Sequence, residues 1–469
     1  MMDMARISQI TNGQQIGANP MISGLVNDTR KDCTEKLYVA IAGPNFDGHE
    51  FIDTAGQNGA SAALIEQDAV IDIPAVRVSD SVQAMGQIAA AWRADFDIPV
   101  LGITGSAGKT TLKEMVGAIL SVSSVGVITE GNLNNHIGVP LTLTRISGAD
   151  QFAVIEMGMS NAGEIAYLSN MAKPTVAIIN NAAPAHLDEL GSVKAVAHAK
   201  GEIISGLSDD GVIILNADDQ YCELWQSLAN KKRVVTFGLT NHADISATFT
   251  ASASGSKMTV DGKYGQFSVN LNLPGEHNVR NALAVIAAAS EMGCSINDIQ
   301  QGLSLYQPLA NRGGSHDLSE LLLIDDTYNA NPVSMLAAFN VASLQAKELR
   351  ARDRLVKVIF VLGDMGELGE RIEELHQHVG QGANNIANAL YCCGQFQTQY
   401  QQGFVGNTEK HASLELMIAA LLNDIDSTIS QNTYPLILVK GSRTAGMERV
   451  VKAIIKAHEH NKNNKLEEQ

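Results

Sequence analysis

The stretch from Ile98 to Leu120 constrains this chain more than any other. Ile98-Pro99-Val100-Leu101-Gly102-Ile103-Thr104 is an apolar run, Gly105-Ser106-Ala107-Gly108 is a turn of small residues, and Lys109-Thr110-Thr111 opens a helix-competent segment. A buried strand feeding a glycine-rich turn and then a helix belongs to a parallel α/β sheet. The same context suits phosphate, because glycines let successive N–H groups point inward and the helix N-terminus adds positive potential. Lys109 is expected to reach the β- and γ-phosphates, and the Thr110 hydroxyl to ligate Mg²⁺. The strict spacing G-x-x-x-x-G-K-[ST] is not met, since position 103 is Ile and Gly102 lies one residue early. The segment still reads as an ATP or GTP site formed by Thr104, Gly105, Ser106, Ala107, Gly108, Lys109, Thr110 and Thr111.

Length sets the scale around this loop. At roughly 150 residues per domain, 469 residues predict about three domains, and an apolar fraction of 45% supports large cores. Lys and Arg total 33 against 50 Asp and Glu, a net charge of −17. That field repels polyanions and argues against nucleic acid or an anionic membrane as partner, while leaving room for a small anionic ligand in a local pocket. The cysteines Cys33, Cys222, Cys294, Cys392 and Cys393 lack C-x-x-C spacing and read as free thiols of a reducing compartment. The start lacks an apolar signal core, and no run approaches the ~18 apolar residues of a membrane span. A soluble cytoplasmic protein without membrane insertion is expected, and nothing demands more than a monomer.

Strand-like runs alternate with helical stretches almost throughout and fall into three blocks: 1–82, 83–311 and 312–469. The first holds Leu37 to Ala42 and Ala62 to Ile65, and a helix from Ser81 to Phe96 leads out of it. The second holds Ile98 to Thr104, Phe152 to Ile155, Thr175 to Ile179, Val212 to Leu215 and Arg233 to Thr236. From Asp244 to Leu273 polar and apolar residues alternate between turns, which predicts an antiparallel flap. The third holds Leu321 to Ile324, Lys357 to Leu362 and Leu436 to Val439, and its polar tail, His458 to Gln469, is expected to fray. The expected fold is α/β with a smaller N-terminal α/β domain. A central P-loop-type, mostly parallel sheet with helices and a C-terminal Rossmann-like α/β domain would follow.

Strand ends supply further candidates. Glu156 follows Phe152 to Ile155, and a carboxylate at the C-terminal end of a parallel strand lies on the ligand side of such a sheet. The amide of Asn281, in His277-Asn278-x-x-Asn281, can offer both a donor and an acceptor to an adenine edge. The acidic stretch Asp364 to Glu374 reads as a solvated face, with only Asp364 placed at a strand end near a cleft. Lys440 and Arg443 follow another strand and suit an acyl phosphate or a carboxylate.

Thr104-Gly105-x-x-Gly108-Lys109-Thr110 resembles the loop of the Mur ligases, the ATP-dependent amide ligases of peptidoglycan precursor synthesis, which commonly depart from the strict spacing in this way. The resemblance covers nearly the whole chain. It includes Thr129-Glu130-Gly131-Asn132-Leu133-Asn134-Asn135-His136-Ile137-Gly138-Val139-Pro140 and Ala199-Lys200-Gly201-Glu202-Ile203. It continues through Asp326-Thr327-Tyr328-Asn329-Ala330-Asn331-Pro332, Gly363-Asp364-Met365-Gly366-Glu367-Leu368-Gly369 and Val439-Lys440-Gly441-Ser442-Arg443. It implies activation of a carboxylate by ATP as an acyl phosphate, which an amine then displaces. The segments favour the branch that joins D-alanyl-D-alanine to UDP-N-acetylmuramoyl-tripeptide.

The resemblance also implies roles. Glu156 and His186 would ligate two Mg²⁺ ions together with Thr110. Lys200, which would otherwise read as a solvated helix lysine, would be carbamylated by CO₂. Lys109, Lys200, His186 and Glu156 are thus the catalytic candidates. Arg312 and Asp326 match positions that contact ATP from the third block, although Asn311 stands where the family usually has glycine. Thr29, Asn45, Asp47, Gly48 and His49 resemble UDP-sugar-binding segments, though Asp-Gly and Pro-Asn are also turn formers. Asn134 and Asn135 are candidates for the muramoyl-peptide, with Tyr328, Asn331, Lys440 and Arg443 as further substrate residues. Because ATP contacts would come from two blocks, rigid-body closure is expected. An open arrangement would leave Arg312 and Asp326 far from Lys109.

Overall fold

The computed structural model describes residues 1–67 and 72–467. Among them a nine-stranded sheet forms the centre, in the order Gly126–Ile128, Phe152–Glu156, Val100–Thr104, Val176–Ile179, Val212–Asn216, Arg233–Phe237, Ile245–Ser252, Gly255–Gly262 and Phe267–Leu271. The first seven strands pair in parallel. Both faces are apolar, as a doubly covered sheet requires. Leu101, Ile103, Val154, Ile178 and Ile214 point to one core, while Val100, Ala153, Ile155, Ala177, Ile179, Ile213 and Leu215 point to the other. The helices Lys109–Leu120 and Glu276–Glu291 cover the first face; the latter is buried along most of its length because its Ala-rich run lets it approach closely.

The expected flap from Asp244 to Leu273 is not a separate element. Its three strands continue the central sheet, and Ile245, Met258, Val260, Val269 and Leu271 enter the core. The alternation was real, but its apolar face had a core to cover.

The N-terminal residues form a five-stranded sheet in the order Gln14–Ile16, Ala75–Arg77, Ala62–Ile65, Leu37–Val39 and Leu25–Val26, parallel except at the first pair. The helix Ser81–Arg93 serves two cores, with Ala84, Met85, Ile88 and Trp92 in the N-terminal one and Ala89 in the central one. Trp92 Nε1 donates to the Ile146 carbonyl at 2.9 Å, and Arg93 Nε to that of Ala172 at 3.1 Å. The expected boundary at residue 82 therefore falls at the start of an element held by both neighbours.

The C-terminal sheet runs Gly314–Asp317, Leu322–Asp326, Tyr434–Lys440, Val356–Gly363, Ala389–Cys393 and Asn407–Lys410, parallel except at Gly314–Asp317. Helices such as Pro332–Arg350 and Leu414–Ser430 cover its faces. The expected frayed tail is corrected: the helix Glu448–Glu467 runs through most of it, while Glu468 and Gln469 lie outside the described residues.

Candidate active site

The strand Val100–Thr104 lies between Phe152–Glu156 and Val176–Ile179, so three strand ends converge where the chain turns into Lys109–Leu120. This is the crevice position at which parallel sheets bind ligands. Gly108 precedes the helix at φ +83°, in the left-handed region, and a β-carbon there would lie 2.6 Å from Asn180 Nδ2 and 2.9 Å from Asn281 Oδ1. Glycine is therefore required twice, by conformation and by space.

Two adjacent asparagines brace the loop. Asn181 Oδ1 accepts from the Ala107 N–H at 2.9 Å, and Asn180 Nδ2 donates to the Ala107 carbonyl at 3.0 Å and to Asn281 Oδ1 at 3.0 Å. Asn281, which also lines the cleft, thus braces the loop through Asn180. Ser106 Oγ exchanges hydrogen bonds with the backbone of Ala183. Ser106, Ala107, Gly108, Lys109, Thr110 and Thr111 line a cleft of about 1050 Å³. Thr104 and Gly105 are not among its lining, and Thr104 Oγ1 is buried without a hydrogen-bond partner.

Lys109 Nζ donates to the Gly105 carbonyl at 2.6 Å. Burial and the neighbouring Arg312 lower its pKa, while Glu156 and Glu367 oppose the shift. The buried Glu156 accepts from Thr110 Oγ1 at 3.0 Å and from Asn134 Nδ2 at 2.8 Å. Thr110, Glu156 and Asn134 thus form one hydrogen-bonded group. Hydroxyl and carboxylate are hard oxygen donors, which fits Mg²⁺ completed by phosphate oxygens and water. His186 stands apart from this pair, at φ +56°, in an ion pair between its Nδ1 and Glu367. Among the described residues no group of three His, Cys, Asp or Glu side chains converges as a metal site.

Lys200 is buried at the end of the helix Val193–Gly201 and is not among the cleft's lining residues. Burial, reinforced by the charge of Lys109, pushes its pKa well below the usual ammonium range.

The far wall comes from the C-terminal residues. Arg312 lies 3.6 Å from the ring centroid of Tyr328, a cation–π stack that holds the guanidinium at the cleft. Asn311 takes φ +64°, a left-handed conformation that Asn tolerates better than most side chains. Arg312, Asp326 and Lys109 all line one cleft.

Several of the candidate substrate residues line the cleft and also bond within the protein. Lys440 is buried and donates to Asp326 Oδ2 at 2.6 Å and to the Asn329 carbonyl at 2.9 Å. Asn331 Oδ1 caps the helix Pro332–Arg350 by accepting from the Ser334 N–H at 2.8 Å. Asn135 Oδ1 accepts from the Gly138 N–H at 2.9 Å. Arg443 remains exposed at the cleft. Asp364 faces away from it, accepting from the N–H groups of Gln395 and Phe396 at 2.7 and 3.1 Å.

None of Thr29, Asn45, Asp47, Gly48 and His49 lines this cleft. Asn45 is exposed beside the strand Phe46–Asp47, whereas Asp47 accepts from His49 N and contacts His49 Nδ1 at 2.6 Å. Tyr38 Oη donates to the Gly48 carbonyl at 3.0 Å, and the Thr29 carbonyl accepts from Asn58. The Asp47–His49 bonds are local to a turn, while the other two tie distant segments of the N-terminal unit together.

The residues that sequence reasoning missed include Glu367, Asn180, Asn181 and Asp218. Asn180 and Asn181 carried a signal, since they follow the strand Val176–Ile179 directly. Asp218 accepts from three successive backbone N–H groups, Leu239 to Asn241, and from Arg280, so it shapes the wall beside the loop.

Residues 103–289 match the Mur ligase middle domain, and residues 314–443 match the Mur ligase, glutamate ligase domain. The UDP-N-acetylmuramoyl-tripeptide--D-alanyl-D-alanine ligase of Escherichia coli (strain K12) is 38% identical over 96% of this chain and 98% of its own. The chain belongs to the Mur ligase family. The Bacillus subtilis (strain 168) enzyme of the same name is 34% identical over 94% of this Mur ligase and 96% of its own length. A crystal structure of MurF from Acinetobacter baumannii superposes with a TM-score of 0.88 at 32% identity, covering 96% and 98% of the two chains. MurF ligase from Thermotoga maritima in complex with ADP gives 0.80 at 25% identity, covering 93% and 98%. Among the described residues of this Mur ligase no helix is long and apolar enough to cross a membrane.

Proposed function

We infer that this Mur ligase is an ATP-dependent amide ligase that joins D-alanyl-D-alanine to UDP-N-acetylmuramoyl-tripeptide in peptidoglycan precursor synthesis. The observation that carries the reading is a single cleft shared by the P-loop, Glu156, Arg312 and Asp326, in a chain similar to such ligases from end to end. The tripeptide carboxylate attacks the γ-phosphorus of ATP, giving an acyl phosphate and ADP. The dipeptide amine adds to the acyl carbon, and the tetrahedral intermediate expels phosphate to leave the amide. Two anions must first be brought together, so the cleft needs clustered positive charge.

Lys109 and Arg312 supply that charge from opposite walls. Thr110 and Glu156 would hold a magnesium ion, which when bound neutralises charge on the phosphates. His186 would serve a second, its Nδ1 engaged by Glu367 and its Nε2 left for the ligand. Burial lowers the pKa of Lys200 and so favours its neutral amine, the form that adds to CO₂ and loses a proton to become a carbamate. An anion there would relieve the like charge of Lys109. We assign UDP-substrate binding to residues 1–82, ATP binding to 83–311, and closure and dipeptide binding to 312–469, with Arg443 the cation exposed for the dipeptide carboxylate.

Phosphate release with UDP-N-acetylmuramoyl-tripeptide tests the reading. Turnover should require D-alanyl-D-alanine, with little release for single amino acids or without acceptor. Appreciable turnover without acceptor, or with single amino acids only, overturns it.

A further inference from the structure

The loop Gly363–Gly369 reaches across the cleft and makes three contacts with consecutive residues of the central unit. The Leu187 N–H donates to the Glu367 carbonyl at 2.8 Å, the Gly369 N–H donates to Asp188 Oδ1 at 2.7 Å, and the Glu367 carboxylate pairs with His186 Nδ1. The approach is close: a β-carbon on Gly369 would lie 3.2 Å from both Cβ and O of Leu187. Both members of the ion pair stand on left-handed backbone, His186 at φ +56° and Glu367 at φ +59°. Non-glycine residues hold that conformation where their surroundings over-determine it.

The base of the loop is fixed to its own unit. The Met365 N–H donates to His376 Nε2 at 3.0 Å, and the Ser442 N–H to the Asp364 carbonyl at 2.9 Å. Asp364 receives the two N–H groups of Gln395 and Phe396, while Met365 and Leu368 are buried. The loop therefore moves with the C-terminal sheet as one piece, and its tip arrives at His186 only when the two units are together.

We propose that residues Glu367 to Gly369 form a latch that couples closure of the C-terminal unit to the reacting end of the cleft, with Glu367 the positioning residue for His186. The proposal rests on the ligase reading for its consequence in catalysis, but not for its geometry. A carboxylate on one imidazole nitrogen fixes the ring's tautomer and orientation. Delivering that carboxylate from the moving unit means that the ring is set only in the closed enzyme. Asp188 holds the latch shut without touching the reactants.

Amide hydrogen exchange on the full-length enzyme, paired with steady-state kinetics, tests this. In the wild type the Leu187 and Gly369 amides should exchange slowly. Asp188→Ala should speed both at least tenfold and lower kcat at least tenfold, with KM for ATP changed less than threefold. Asp188→Asn keeps the accepting oxygen and should restore both readouts. Glu367→Ala should lower kcat at least tenfold while both amides stay protected, because their bonds use the Glu367 backbone and Asp188. Wild-type amides that exchange as an exposed loop, or wild-type kcat in Asp188→Ala or Glu367→Ala, overturn the latch. Failure of the ligase reading looks different: the wild type releases no acceptor-dependent phosphate, yet both amides remain slow.

Discussion

Lys200 has no low-energy way to carry its charge. It is a lysine buried beside Lys109, and its pKa lies well below that of a free ammonium. Between the two values the unfolded chain binds the extra proton, so wild-type stability rises with pH across that window. Lys200→Met should therefore melt above the wild type at neutral pH, and the gap should close as pH approaches the ordinary lysine range. Thermal denaturation across that range measures it. The same site should be needed for chemistry: Lys200→Ala should abolish ligation, with partial rescue by short-chain carboxylates, and full activity of that variant would exclude a carbamate role. At this scale the sequence was most informative where a residue's type dictated its use. Lys109, Thr110 and Glu156 could be picked because strand ends and glycine turns have few other uses for them. Lys440 and Asn331 line the cleft as read, but what the sequence could not supply was their partners within the protein, Asp326 and the Ser334 N–H.

The helix that follows the phosphate loop is tied at its middle. Lys113 is fully buried, donating to the carbonyls of Thr129 at 2.7 Å and Gly131 at 3.2 Å and pairing with Glu114 at 3.0 Å. It fixes the helix against the segment that carries Asn134 to Glu156. Lys113→Met keeps the stem and removes the donors, leaving two carbonyls short of a partner. Charged hydrogen bonds of this kind are worth about 1.5–3 kcal/mol, so a loss of about that size is expected in urea denaturation. Elements themselves were legible. Apolar runs fixed most strands to within a residue or two, because a sheet buried on both faces leaves few polar positions. The antiparallel strands after Asp244 were seen but misplaced, since alternation reveals one apolar face and not what covers it. Glu367 escaped for a related reason: an acidic run looks solvated until another unit meets it.

At the scale of the whole molecule, length and motif spacing both divided the chain into three, and three principal sheets are present among the described residues. The net charge of −17 describes the surface, while the cleft sets Lys109 and Arg312 among its acids to meet an anionic ligand. What no linear reading supplied was how firmly each unit is joined to the next. The helix Ser81–Arg93 gives side chains to two cores at once, and Trp92 and Arg93 bind carbonyls of the central unit. The C-terminal unit is joined through surface contacts such as those of Asp188 and Glu348. A core shared through one helix cannot be lost from one side alone, so heat should find two cooperative blocks in this three-sheet protein. Differential scanning calorimetry should resolve one endotherm for residues 1–311 and another for 312–469, and a Trp92→Ala variant should split the first.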